Sequence, residues 1–293
     1  MKPTLLLLLA ALALAPGAAI SKPKPPAQPP APSGPTDADW RTPDPQNVIV
    51  IDTTKGRIIV ELEPLAAPQH VERIRVLTRQ GVYNGRQFFR VIDNFMDQTG
   101  DPLDNGTGQS QLPNLPPEFT FRRSAETPFA SVAKTGGVEI GFVGSLPVAS
   151  QTLDLALLTV DHKVDAYGNY CPGVVGAARS DAPDSANSQF FLMRTNAREA
   201  DHATHGLDKQ YTAFARAIAG QDVINAIATG EPPAAPDKML TVRVLADIPE
   251  AERPKVRVLD PRGPWFKHLA AKVLADKVVG ATICDFDLPS DVK

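Results

Sequence analysis

The side chains able to do chemistry are concentrated in residues 88–110, FFRVIDNFMDQTGDPLDNGTGQS. Arg90 is followed at short range by Phe95, Met96 and Gln98, then by Gly100-Asp101-Pro102 and the turn Asn105-Gly106-Thr107-Gly108. A second stretch, Ser188-Gln189-Phe190-Phe191, again combines an amide with aromatic side chains. Together they offer a cation, apolar surface and amides, but no nucleophile paired with a base. Gly144-Ser145 does not complete a hydrolase elbow, because no glycine stands two positions after Ser145. His202 and His205 are three apart with no third ligand nearby, which reads as a solvated loop rather than a metal site. Asn105-Gly106-Thr107 fits a glycosylation sequon. Taken singly, Arg90 is a strand arginine that pairs with a carboxylate. Phe95, Met96, Phe191 and Leu207 are ordinary core, and Gln98 and Gln189 are surface amides.

The elements that must position these residues are mostly strands. Phe88, Arg90 and Ile92 share one face and Phe89 and Val91 the other, the period-two spacing of a strand. Two β-branched runs, 47–52 and 56–62, flank Lys55-Gly56 as a hairpin. Val71, Ile74 and Leu77 mark an amphipathic helix over 66–80, begun near Pro68 and stopped by Gly81. Residues 138–148 and 153–160 alternate as two further strands, an inserted hairpin within 111–171. Small residues at 173–178 allow another chain to approach closely. Strands follow at 188–193, 211–218 and 241–246, with a short helix at 221–228. The expected fold is mainly β: a closed antiparallel barrel capped by two helices.

Both ends differ in character from this domain. Residues 1–19 read as an export signal: Lys2, an apolar run over 5–15, then Pro16-Gly17-Ala18-Ala19. The run is shorter than the ~20 apolar residues a membrane span needs; an uncleaved anchor is the alternative. Residues 20–46 are proline-rich and read as a disordered linker. The folded domain is expected over 47–248, and 249–293 as an extension with one helix near 264–277. The net charge of −3 gives no reason to expect nucleic acid or an anionic membrane as partner. A monomer is expected. The two cysteines, Cys171 and Cys284, either bridge the extension to the domain or stay free and partly buried.

The pattern FFRVI..FM.Q.GDP...GTG, followed by G...A.R...P.S..SQFF, resembles the cyclophilin-type peptidyl-prolyl cis/trans isomerases over roughly 48–248. The resemblance implies an eight-stranded barrel and an activity that requires no cofactor or metal. It assigns Arg90, Phe95 and Gln98 to catalysis. It assigns Met96, Gly106, Ala178, Arg179, Gln189, Phe191, Leu207 and Tyr211 to binding proline-containing, unfolded or flexible polypeptide segments. Two departures stand out. Gly206 occupies the place of an aromatic residue, which speaks against cyclosporin sensitivity, and Tyr211 takes the place of a histidine. With the export signal, the resemblance implies a periplasmic isomerase that assists folding of exported proteins. The competing expectation is a proline-peptide-binding chaperone module with little or no turnover.

Overall fold

The computed structural model describes residues 34–195, 206–277 and 280–293. The expected signal 1–19, the linker residues 20–33, and His202 and His205 lie outside the described residues. In chain order the strands are β1 (Trp40–Arg41), β2 (Val48–Thr53), β3 (Gly56–Leu62), β4 (Arg90–Ile92), β5 (Met96–Thr99), β6 (Phe121–Arg123), β7 (Phe129–Thr135) and β8 (Val138–Val143). They continue as β9 (Leu146–Gln151), β10 (Val164–Gly168), β11 (Val174–Ala177), β12 (Phe190–Met193), β13 (Ala213–Ala219), β14 (Met239–Val244), β15 (Val256–Leu259) and β16 (Ser290–Val292). The α-helices are α1 (Pro68–Arg79), α2 (Gln221–Ala226) and α3 (Pro264–Asp276).

The β2–β3 hairpin forms where β-branched residues crowd together, and Val48, Ile49, Val50, Ile58 and Ile59 are all buried. Its turn is fixed by the Thr53 hydroxyl, which accepts from the Lys55 and Gly56 amides at 3.1 Å each. From this hairpin grows an eight-stranded antiparallel sheet in the order β14-β2-β3-β13-β11-β12-β5-β4. It is a half-barrel, not the closed barrel expected. β4 and β14 are its edges, joined only by isolated bridges at Gln87–Lys238 and Val91–Gly230. The reason is local. β4 spans three residues, and the segment facing it carries Pro232, Pro233 and Pro236, which have no N–H to extend a ladder.

α1 buries Val71, Ile74 and Leu77 and packs on β13 and β14, while α2 lies against β3. α1 lacks a capping side chain of its own. The Glu118 carboxylate supplies the cap from elsewhere in the chain, accepting from the Gln69 and His70 amides at 3.1 and 3.0 Å. Glu118 also meets His70 Nδ1 at 2.7 Å, which pins the segment leading to Phe119 to the start of α1.

In place of a single hairpin, the inserted stretch builds a five-stranded sheet in the order β6-β10-β9-β8-β7. The strand expected over 153–160 is instead a 3-10 helix, Leu153–Leu158. Leu157 and Leu158 are 83% and 82% exposed. An alternating pattern specifies a strand only when one of its faces is buried, and here it has no such face.

The last part of the expected linker is structured. Trp40 and Arg41 pair with Leu259 and Val258 of β15, which pairs in turn with β16. Arg41 donates to both carboxylate oxygens of Glu61, at 2.6 and 2.8 Å. Cys171 and Cys284 are disulfide-bonded. Phe142 of the insert meets Phe266 of α3 edge-on at 5.6 Å. Half-barrel, insert and extension thus share one of two hydrophobic cores, and the described residues from 34 to 293 form one compact unit. No helix among the described residues is long and apolar enough to cross a membrane.

Candidate active site

Strand register assembles the site. Arg90 on β4 lies opposite Gln98 on β5, and Gln98 lies opposite Phe191 on β12, so the three share one face. Phe191 lies opposite Gly176 on β11. A Cβ at Gly176 would come within 2.7 Å of the Tyr170 ring. Its absence lets Tyr170 stack on Phe191 with centroids 5.6 Å apart, and Tyr211 meets Phe191 edge-on at 6.0 Å.

Over this row opens a pocket of about 350 Å³. Phe95, Met96, Phe191 and Leu207, all buried, make its apolar surface, with Arg90, Gln98, Arg179 and Tyr211 at its edge. Gly206 also lines it. A second cavity of about 160 Å³ adjoins, bounded by Gly106, Gln189 and Asn187. Ala178 and Arg179 line both and divide them. The Arg179 guanidinium lies 4.4 Å from the Tyr211 ring centroid and 5.7 Å from that of Phe119. It donates to the carbonyls of Gln210 and Ser180 at 3.1 and 2.8 Å, so the partition is held from several sides.

A polar chain runs from one cavity to the other. Arg90 Nη1 donates to Gln98 Oε1 at 3.3 Å, and Gln98 Nε2 donates to Gln189 Oε1 at 3.0 Å. Gln189 Nε2 ends the chain on the carbonyls of Gly106 and Gly108, at 3.2 and 3.0 Å. Those carbonyls are fixed by Asp101. Its buried carboxylate accepts the amides of Leu103, Asn105 and Gly106 at 2.8, 3.0 and 2.5 Å. Burial alone would push its pKa up, but these amides and that of Gly108 outweigh burial and hold it below the usual carboxylate range. At the other end, Arg90 Nε donates to Glu231 Oε2 at 2.7 Å.

Residues 48–244 match the model of the cyclophilin type peptidyl-prolyl cis-trans isomerases. The chain belongs to this family. The "Probable peptidyl-prolyl cis-trans isomerase" of Brucella suis biovar 1 is 31% identical over 220 residues, covering 70% of this chain and 85% of that protein. "Peptidyl-prolyl cis-trans isomerase 9" of Schizosaccharomyces pombe is 27% identical over 204 residues, covering 67% of this chain and 25% of that protein. Among solved structures, the cyclophilin AquaCyp293 from Hirschia baltica superposes with a TM-score of 0.78 at 33% identity. That match covers 86% of this chain and 93% of the other. The half-barrel is therefore a cyclophilin-like fold, and the match to AquaCyp293 reaches beyond the family domain.

Of the eleven cyclophilin site residues named from sequence, nine line the larger pocket. Gly106 and Gln189 line the smaller one, which Gln98, Ala178 and Arg179 share. Sequence reasoning missed Glu231, Asp101, Phe119 and Gln210. Asp101 had a local signal, a carboxylate entering a turn rich in glycine and asparagine. Glu231 had none, since it lies 141 residues from Arg90.

Proposed function

We propose that this cyclophilin accelerates rotation about Xaa-Pro bonds without a covalent intermediate, with Arg90 as the principal donor. The barrier of about 18–20 kcal/mol comes from amide resonance. In the twisted amide the imide nitrogen regains a lone pair. A guanidinium aimed at it stabilises the transition state more than the ground state. Phe95, Met96, Phe191, Leu207 and Tyr211 would hold the proline ring. Gln98 would orient Arg90 and, with Gln189, Gly106, Ala178 and Arg179, would hold the backbone preceding the proline. The observation that carries this reading is a half-exposed guanidinium at the edge of an apolar pocket of about 350 Å³.

The test is isomerisation of a short Xaa-Pro peptide by the whole chain and by its Arg90→Ala variant. Loss of one such donor is expected to lower kcat/KM by about 10²–10³, with the melting temperature nearly unchanged. A folded wild-type protein that accelerates nothing, yet still suppresses client aggregation, would make the groove a binding module instead.

We further infer that its substrates are exported proteins whose folding it assists in the periplasm. The signal-like pattern of residues 1–19 supports export. So does the Cys171–Cys284 bridge, which suits an oxidising compartment. Osmotic-shock fractionation with intact-mass analysis tests this. A shortened chain released with the periplasm is expected, and a full-length cytoplasmic chain would overturn it.

A further inference from the structure

The Glu231 carboxylate sits on Arg90 and takes no part in lining the pocket. We propose that Glu231 is a positioning residue for the isomerase reaction, fixing the guanidinium from behind so that its remaining N–H groups face the pocket. The proposal rests on Arg90 being the donor.

The backbone places the pair. Val91 N–H donates to the Gly230 carbonyl and Gly230 N–H to the Val91 carbonyl, both at 2.8 Å. In this narrow antiparallel bridge the residue before Val91 faces the residue after Gly230, so Arg90 meets Glu231. Position 230 requires glycine. Its φ is +146°, and a Cβ there would lie 2.5 Å from Pro233 Cα. The carboxylate is thus delivered by a fixed turn.

Guanidinium geometry gives the placement its chemical meaning. Nε is taken by Glu231 at 2.7 Å and one Nη1 proton by Gln98 at 3.3 Å. Two acceptors on different nitrogens fix the plane of the group. Nη2 has no hydrogen-bond partner among the described residues, so its protons remain available. The side chains of Arg90 and Glu231 are 40% and 54% exposed, and a pair this wet adds little to folding stability. What it does supply is order. An arginine loses much rotamer freedom when it is held, and a donor already aimed does not lose that freedom at the transition state. The carboxylate also offsets part of the positive charge. The kinetics of the Glu231 variants report which of these two opposing effects is larger.

The experiment measures kcat and KM separately for the whole chain carrying Glu231→Ala, Glu231→Gln, Arg90→Ala, or both alanines. Glu231→Ala is expected to lower kcat about five- to tenfold with KM within about twofold. Glu231→Gln is expected to restore most of the rate, because its amide oxygen still accepts Nε–H. In the Arg90→Ala background, Glu231→Ala should add nothing further. Should the alanine variant not fold, Glu231→Asp, one methylene too short to reach Nε, takes its place. Full turnover in Glu231→Ala, or an equal loss with and without Arg90, would overturn the proposal. So would a loss in kcat that only tracks a fall in melting temperature. If Arg90→Ala itself keeps full turnover, the donor assignment fails first; if only Glu231→Ala does, the donor stands and the positioning role falls.

Discussion

Two arginine–carboxylate pairs of this protein differ sharply in solvation. In the insert, Arg123 and Glu139 are 3% and 6% exposed, with Nη2 2.6 Å from Oε2. Arg123 also donates to the Ser150 hydroxyl at 2.8 Å and the Gln151 carbonyl at 3.0 Å, and it lies 4.3 Å from the Phe129 ring centroid. Its Nε and Nη2 donors are spent inward. At the groove, Arg90 and Glu231 make a contact just as short, yet both are about half exposed and Nη2 is left open. The same ion pair is a structural fastener where water is excluded and, on the function proposed above, a poised donor where it is not. Removing one partner of a buried pair leaves a charge stranded; removing one partner of a wet pair mainly releases the other.

The largest break in that contrast should come from Arg123→Ala. Glu139 would be left buried with the half-exposed Lys134, 3.6 Å away, as its remaining counter-charge, and the loss is expected to cost about 3–5 kcal/mol, read by urea unfolding, with kcat/KM unchanged in whatever remains folded. Arg90→Ala should do the opposite, with most of the rate lost and little stability. If the two variants behave alike, burial is not what separates the pairs.

A smaller effect is expected from replacing both Cys171 and Cys284 by serine. The bridge closes a 113-residue separation, and its loss should lower stability by about 2–4 kcal/mol. Turnover should hold, since neither cysteine lines the pocket.

The smallest effect comes from Glu63, a buried carboxyl whose neighbour Arg41 is already committed to Glu61. Burial first, and then the Glu61 charge, push its pKa up to about 7, although the Leu65 amide favours the charged form. Between the normal glutamate value and about pH 7 the folded state holds a proton that the unfolded chain has released. Stability therefore falls as pH rises through that window. Glu63→Gln keeps the acceptor and removes the charge. It should match wild type near pH 5 and exceed it at pH 8 by on the order of 2 kcal/mol, measured as melting temperature at both values.

How legible each region was follows from how local its determinants are. Arg90, Phe95, Met96 and Gln98 lie within nine residues across one tight turn, so a single stretch could carry the family resemblance that groups them. Gln189 and Phe191 were legible as a second motif, and strand register did the rest. Glu231 was not legible, because a lone glutamate before proline carries no periodic or compositional mark. The bland reading of Arg90, a strand arginine paired with a carboxylate, turns out to describe its contact with Glu231. The β2–β3 hairpin was readable from buried β-branched runs. The stretch 153–160 misled because Leu157 and Leu158 face solvent and none of its residues is buried. Strand count suggested a closed barrel, but nothing in the pattern showed that β4 would end after three residues.

That short strand has one more consequence. A sheet edge beside an open groove is a template on which an extended chain can add itself as another strand. Here the outward hydrogen-bonding groups of Val91 are already taken by Gly230, and the Phe88 amide by the Asp237 carbonyl. A polypeptide lying in the groove meets side chains and a shaped cavity at this border, with no open ladder to join.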